Sequence, residues 1–372
     1  MRIAIDALGI NIPGGGRTSI LNLLHNVFLQ DKKNYYVVFL TQFEPTLQQF
    51  SGNVSQFIIP IHNRFLVRIV AQLILFIKQK GFDLIHNTKN LGFLGLNIPS
   101  IVTIHDLTTV LHPELVPRFD NYYWRTLEKK TIKDAQKIIT VSNDAAKDIV
   151  SFFNVAREKV IVIYHGYSSI FTPARQEDID CMREKYRLQG EYFLHVGRID
   201  KKKNLSVLVE AFGKLLTLND FHANLVLVGQ DYKKSPDNIL LNVIERLGIQ
   251  DRVIFTGFVP DDDLPKMYSG AISCVFPSIH EGFGLFALEA MACGVPLIVN
   301  KAGALEEVVG DAGIVLQECA PENLAVSMRK VYEDPDLRKK LRDKGLQRAK
   351  SFSWELAASQ LLRIYELVGG RK

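Results

Sequence analysis

Pro277-Ser278-Ile279-His280-Glu281-Gly282-Phe283-Gly284-Leu285-Phe286-Ala287-Leu288-Glu289-Ala290-Met291-Ala292-Cys293-Gly294-Val295-Pro296 is the stretch on which the fold is decided. It leaves an apolar run, 271–276, that reads as a buried strand. It then makes a glycine turn, continues as a helix of small and apolar residues, and exits through Gly-Val-Pro into a second strand, 297–300. Two carboxylates, Glu281 and Glu289, bracket the turn and helix. The Gly-Phe-Gly step leaves backbone N–H groups standing at a helix N-terminus, the place where an anionic phosphate is most easily held. If the segment is helical throughout, residues eight apart lie about 12 Å from each other along the axis. That spacing lets the two carboxylates meet the two ends of one ligand, with a diphosphate between them.

Upstream, Tyr192 to Val196 reads as a strand that ends at Gly197-Arg198, and Lys201-Lys202-Lys203-Asn204 leads into a helix over 205–216. Basic residues grouped at a strand-to-helix turn suit a diphosphate. Arg198 offers a planar fork to two oxygens and a lysine a compact charge, while the triple lysine reads equally as a solvated turn. Asn224 to Gly229 and Arg252 to Val259 are further strands, and Gly229 and Gly257 end them on the ligand side. Gly257-Phe258-Val259 reads as main chain and ring laid against a nucleobase, or as an ordinary loop. A helix over 238–247, a short one over 261–268 and a loop-helix start at Asn300 to Val308 complete this half. From Pro321 the pattern is helical and polar, and it ends in Phe352-Ser353-Trp354 and an amphipathic run over 355–368.

The first half repeats the theme. A strand over 2–8 is followed by Pro13-Gly14-Gly15-Gly16 and a helical pattern over 18–29, the opening of a doubly wound domain. These glycines fail the dinucleotide fingerprint, because Ser19 stands where a third spaced glycine is needed, which argues against a nicotinamide cofactor. Gly15 and Gly16 either let main chain approach a donor phosphate or acceptor, or serve a turn that needs positive φ. Strands follow at 35–40, 54–61, 83–86 and 100–104, the last ending in His105-Asp106-Leu107. A histidine at the carboxyl end of a parallel strand is placed to bond a sugar hydroxyl or a developing charge, and a His-Asp pair is also a plain turn cap. His112 and Pro113 follow in the next loop; a long helix over 122–134, a strand over 137–142, a helix from near Asn143 that Ser142 or Asn143 caps, and a strand over 159–163 come next. Between the third and fourth strands, residues 64–80 are apolar in the middle and basic at both ends. This segment reads as a crossover helix packed on the sheet, or as an interfacial helix docking on anionic lipid, and both can hold at once.

At 372 residues the chain is too long for one ordinary core, which predicts two domains. The division expected is 1–167, with the terminal helix 355–372 returning to it, and 168–354. A net charge of +5 is mild for a nucleic-acid binder and compatible with small anions or a membrane surface. Cys181, Cys274, Cys293 and Cys319 are scattered without metal-site spacing, as expected of reduced thiols in a cytosolic protein. Arg2 to Asp6 begins as a strand directly after Met1, leaving no room for a signal peptide, and no apolar run approaches bilayer-spanning length.

Taken in order, these motifs resemble the retaining glycosyltransferases of family 4, and the resemblance covers almost the whole chain. It is carried by Gly14-Gly15-Gly16, His105-Asp106-Leu107, Val196-Gly197-Arg198 with Lys203-Asn204, and above all the Glu-x7-Glu spacing of Glu281 and Glu289. The resemblance implies an α/β protein of GT-B fold: two facing Rossmann-like doubly wound domains, mainly parallel sheets, and a cleft between them. It implies that Arg198 and Lys203 neutralise a donor diphosphate, with Gly282, Phe283, Gly284 and Leu285 as its backbone cradle. Glu281 would hold hydroxyls of the transferred sugar, Glu289 the ribose, and His105 the sugar 6-hydroxyl or the acceptor. Gly15, Gly16, Gly197, Gly229 and Phe258 complete the expected donor contacts. Neither metal nor cofactor is implied, and Arg17 after the extra glycine leaves the first loop's acceptor contacts open.

The expected activity is hexosyl transfer from a nucleotide sugar, UDP-glucose first and GDP-mannose next. The expected acceptor is a saccharide or lipid-linked saccharide in envelope or exopolysaccharide synthesis, with the protein cytoplasmic and in peripheral contact with the inner membrane face. Two rivals remain: a GT-B sugar-nucleotide epimerase, which needs no acceptor, and a silent nucleotide-sugar-binding subunit, against which the intact Arg198, Lys203, Glu281 and Glu289 argue.

Overall fold

Ile3-Ala4-Ile5, Val38-Phe39-Leu40, Phe193-Leu194 and Leu297-Ile298-Val299 are buried at every successive residue. A strand without polar alternation has to be covered on both faces, and helices provide the cover. The structure is a computed structural model that describes residues 1–11, 14–115, 118–229 and 239–370, with backbone alone for 118–124. Pro13, Asn238 and the last two residues of the expected terminal helix therefore lie outside the described residues. The chain divides into two units, Met1–Gly166 with Ser353–Lys372, and Tyr167–Phe352.

The first unit runs β1 (Arg2–Asp6), α1 (Gly15–Gln30), β2 (Tyr35–Leu40), β3 (Val54–Ile58), α2 (Arg64–Lys78), β4 (Leu84–Asn87) and β5 (Ser100–Ile104). It continues with α3 (Thr108–Leu111), α4 (Arg118–Asp134), β6 (Lys137–Thr140), α5 (Asn143–Phe153) and β7 (Val160–Val162). The second unit runs α6 (Gln176–Tyr186), β8 (Tyr192–Val196), α7 (Leu205–Leu215), β9 (Asn224–Val228), α8 (Ile239–Leu247), β10 (Val253–Gly257) and α9 (Leu264–Ser269). Then come β11 (Ser273–Phe276), α10 (Leu285–Ala292), β12 (Leu297–Asn300), α11 (Leu305–Val309), β13 (Gly313–Leu316), α12 (Pro321–Glu333) and α13 (Pro335–Ala349). The last helix, α14 (Trp354–Gly369), belongs to the first unit.

Strand order is β3-β2-β1-β4-β5-β6-β7 in the first sheet and β10-β9-β8-β11-β12-β13 in the second. Every pairing in both is parallel. Each order runs outward from a central strand and then reverses, at β1/β4 and at β8/β11.

Some boundaries differ from the sequence expectation. The first helix starts at Gly15 rather than residue 18, so Gly15 and Gly16 are helical, and the residue with positive φ is Gly14. The helix expected over 261–268 starts at Leu264, with Pro265 in its first turn, where a missing N–H is harmless. Ser142, not Asn143, caps α5, accepting from the Ala145 N–H at 3.1 Å.

α14 is fixed to its unit from both ends. Ser353 caps it by accepting the Leu356 N–H at 3.0 Å, and the Gln30 amide donates to the Glu355 carbonyl at 2.9 Å. Further along, the Tyr365 hydroxyl meets His86 Nδ1 at 2.7 Å inside the core. Gly166 makes the close approach possible: a Cβ there would lie 2.2 Å from the Trp354 nitrogen and 2.5 Å from the Ser353 carbonyl carbon. Backbone atoms give way poorly, so Gly166→Ala is expected to destabilise by about 2 kcal/mol. The unfolding midpoint of the first unit should fall by roughly 5 °C. Gly52→Ala, where an added Cβ meets nothing within 4 Å, is the control that should leave the midpoint unchanged.

Candidate functional site

In an open parallel sheet, ligands bind outside the carboxyl ends of the strands where the order reverses. In the second unit that point is the β8/β11 pair, in register at Phe193 with Ser273 and Leu194 with Cys274. The loops leaving these two strands are therefore neighbours. One carries Lys203 and the other Glu281, and the Lys203 Nζ stands 2.5 Å from Glu281 Oε1. Both side chains are largely shielded, 13% and 14% exposed. Burial would by itself raise the Glu281 pKa, but the ammonium groups of Lys203 and Lys202 outweigh it and hold the carboxyl below its ordinary value.

The pair is positioned by its loops. Asp200 accepts the Lys203 N–H at 3.2 Å, and Asn204 turns the chain into α7 with φ 53°. On the other side the Glu281 carbonyl accepts the Ala304 N–H at 2.9 Å. Gly303, at φ 58°, lies so close that a Cβ would be 2.3 Å from that same carbonyl oxygen. The loop before α11, noticed in the sequence only as a second helix start, is what holds Glu281 in place.

Only the second half of the Glu281 to Glu289 stretch is helical, because α10 begins at Leu285. Glu281, Gly282 and Phe283 form the turn before it, so the helical 12 Å spacing does not apply to the two carboxylates. Gly284 is the N-cap, at φ 91°, and no side chain caps the helix. Phe283 turns its ring into the core, edge-on to Phe352 with centroids 5.8 Å apart. Glu289 sits inside α10, buried, accepting from the Tyr268 hydroxyl at 3.2 Å. Burial pushes its pKa up to about 8, so the two carboxyls are in opposite states at neutral pH.

Arg198 is 67% exposed and reaches Asp200 at 3.5 Å, apart from the buried pair. Phe258 projects into solvent, 78% exposed. Gly197 and Gly229 have a packing reason to be glycine: a Cβ on Gly229 would lie 1.9 Å from the Gly197 carbonyl oxygen. The structure thus joins Lys203, Glu281 and the α10 N-terminus, and sets Arg198 and Phe258 at the surface.

In the first unit the reversal lies at β1/β4. Lys89, after β4, donates to the Gly9 carbonyl at 2.5 Å, and burial lowers its pKa. His105, at the end of β5, receives its position from two hydrogen bonds. Its N–H donates to Asn90 Oδ1 at 3.0 Å, and its ring Nε2 meets the Thr88 carbonyl at 2.9 Å. The ring lines a cavity together with His86 and His165, and desolvation lowers the pKa of all three.

Two buried groups escaped the sequence reading. Glu128 on α4 accepts from the Asn90 amide at 2.8 Å, and the same amide donates to the Asp106 carbonyl at 2.7 Å. Burial, with Asp106 nearby, pushes the Glu128 pKa up to about 8. It anchors Asn90 and through it the His105 backbone, yet a glutamate in a lysine-rich helix gives no sign of burial. His195 in β8 bonds the Val275 carbonyl through Nδ1 at 2.8 Å, while its buried Nε2 has no partner. A histidine inside an apolar strand was the visible signal for that one.

Comparisons with known proteins agree with this architecture. Residues 178–348 match the family model described as glycosyl transferases group 1, and residues 13–169 the model described as glycosyltransferase family 4. The O-antigen chain mannosyltransferase B of Escherichia coli is 31% identical over 270 residues, covering 72% of this chain and 70% of that protein. Among solved structures, sucrose-phosphate synthase from Thermosynechococcus elongatus superposes with a TM-score of 0.81 at 22% identity over 100% of both chains. Anabaena HepE in complex with UDP-glucose gives 0.79 at 20% identity, over 99% of this chain and 100% of that one. Two parallel sheets of seven and six strands with flanking helices make this a GT-B fold. The chain belongs to glycosyltransferase family 4, the glycosyl transferases group 1, and is a hexosyltransferase.

Glu128 carries a measurable pH signature. Its carboxyl keeps a proton in the folded protein up to about pH 8, whereas an unfolded-chain glutamate loses it near pH 4.5. The folded state therefore binds the extra proton across that window, and the associated stability, complete at the acid end, is lost as pH rises through 8. Glu128→Gln removes the titration. The melting midpoint of the variant minus that of the native chain should accordingly increase from pH 5 to pH 8.5, as read by thermal denaturation.

Proposed function

We propose that this chain moves a hexosyl group from a nucleoside-diphosphate sugar to an acceptor hydroxyl, with retention at the anomeric carbon. The product is part of an envelope or exopolysaccharide, and the acceptor is a saccharide or lipid-linked saccharide. Sequence alone favours glucose from UDP-glucose. The name of the Escherichia coli relative, an O-antigen chain mannosyltransferase, favours mannose, so GDP-mannose becomes the first choice and UDP-glucose the second.

The observation that carries this reading is the Lys203–Glu281 ion pair at the β8/β11 reversal, in front of a helix whose N-cap is a glycine. A shielded ammonium paired with a shielded carboxylate is a site prepared for a ligand bearing both negative charge and hydroxyl groups. An arriving diphosphate competes for Lys203, and Glu281, released, accepts hydrogen bonds from the sugar. Arg198, exposed beside Asp200, closes on the outer phosphate oxygens.

In the transfer, the bond from the anomeric carbon to the phosphate oxygen breaks and its electron pair stays on the diphosphate. The acceptor oxygen bonds the anomeric carbon on the same face, and its proton passes to the departing phosphate oxygen. Lys203, Arg198 and the α10 N–H groups oppose the charge that grows on the leaving group. Glu281 keeps the sugar oriented, Glu289 takes the ribose, and His105 takes the sugar 6-hydroxyl or the acceptor.

Replacing both Lys203 and Glu281 with alanine should reduce the transfer rate by roughly 100-fold or more. Circular dichroism should remain native, and full activity in the folded double variant would sink the assignment. Donor choice is read separately by thermal shift. A donor present at about 100 times its Kd stabilises by about 2.7 kcal/mol. GDP-mannose is expected to raise the midpoint more than UDP-glucose; the reverse order restores glucose.

A further inference from the structure

α2 is apolar on both of its faces, and the sheet uses only one. Val67, Ala71 and Leu75, four residues apart, are buried against Phe39, Phe82 and Ile85, with Val70 and Ile74 packed beside them. On the other side Leu66, Ile69, Leu73, Phe76 and Ile77 are between 50% and 80% exposed. Their spacing of three and four residues puts them on one stripe. A crossover helix needs its inward stripe alone, and a contiguous outward one marks an interaction surface.

The charge around the stripe has one sign. No aspartate or glutamate occurs between Glu44 and Asp83, while Arg64, Arg68, Lys78 and Lys80 all lie in that interval. Arg68 points inward to Asp6 at 3.3 Å, which leaves basic groups at the two ends of the helix. Arg64 lies over the Phe65 ring at 4.7 Å and Lys78 near the Phe57 ring at 5.7 Å, so their stems follow apolar surface.

We propose that the outward face of α2 docks this chain on an anionic lipid surface, lying in the plane of the interface. Among the described residues no helix is long and apolar enough to cross a membrane, so insertion is limited to this stripe. Anionic headgroups complement the basic residues that the sequence places at the helix ends. A second copy of the chain does not: basic ends would meet basic ends in either orientation, with no aspartate or glutamate between residues 45 and 82 to offset them. The docking surface rests on α2 alone and stands whether or not the transfer reading holds.

The test is co-sedimentation of the full chain with vesicles of phosphatidylcholine containing roughly one-third phosphatidylglycerol, against phosphatidylcholine alone. Binding to the anionic vesicles is expected, weakened by added salt. It should fall about tenfold or more in Ile69→Ser with Leu73→Ser, and also in Lys78→Gln with Lys80→Gln. All four positions are at the surface, so the melting midpoint should stay native, and the lysine pair keeps the test open if the serine pair fails to fold. Three results would overturn the proposal: no binding to anionic vesicles, equal binding by folded variants, or a concentration-dependent dimer in sedimentation velocity that the serine pair abolishes.

Discussion

The arrangement of the second unit depends on β8 and β11 lying side by side. Eighty residues of chain separate Leu194 from Cys274, and their backbone pairing brings two loops together that have nothing to do with each other in sequence. Once the strands pair, Lys203 and Glu281 are within hydrogen-bond distance, and the glycine-capped start of α10 opens beside them. Gly229, Gly284 and Gly303 then act as clearances. In each case a Cβ would meet a backbone carbonyl or a leucine methyl within 2.5 Å, so the loops settle only where a side chain is missing.

Burial alone would push both glutamates of the motif toward the neutral form. Glu281 escapes because two lysines face it, and Glu289, whose described partner is a tyrosine hydroxyl, does not. One motif therefore holds a charged carboxylate and a protonated carboxyl a few turns of chain apart. The difference lies in what the neighbouring elements present, since the residue type is the same.

The first unit works by a comparable economy of contacts. Glu128, Asn90, Asp106 and His105 form a continuous hydrogen-bonded chain linking α4 to the ends of β4 and β5. His86 ties the same region to α14 through Tyr365 and to β5 through Thr103. These hydrogen bonds fix the histidine-lined cavity, where desolvation favours the neutral form of His86, His105 and His165.

The sequence by itself determined the parallel α/β architecture, because runs such as Ile3-Ala4-Ile5 and Leu297-Ile298-Val299 have no polar face to give to solvent. It determined the family as well, since Glu-x7-Glu, Val-Gly-Arg and His-Asp-Leu stand in order along one chain. Helix starts were less legible. Gly15 and Gly16 are poor helix formers that nonetheless open α1, whose buried residues begin only at Ser19. Only the tertiary structure decided that Lys203 pairs with Glu281, that Arg198 and Phe258 stand in solvent, and that Glu128 is buried. Each of these follows from strand order and from which face of a helix the sheet covers, and neither quantity is local in sequence. The double character of α2 joins the two sources: its composition was plain to read, and its exposed stripe appeared only when the sheet had taken the other side.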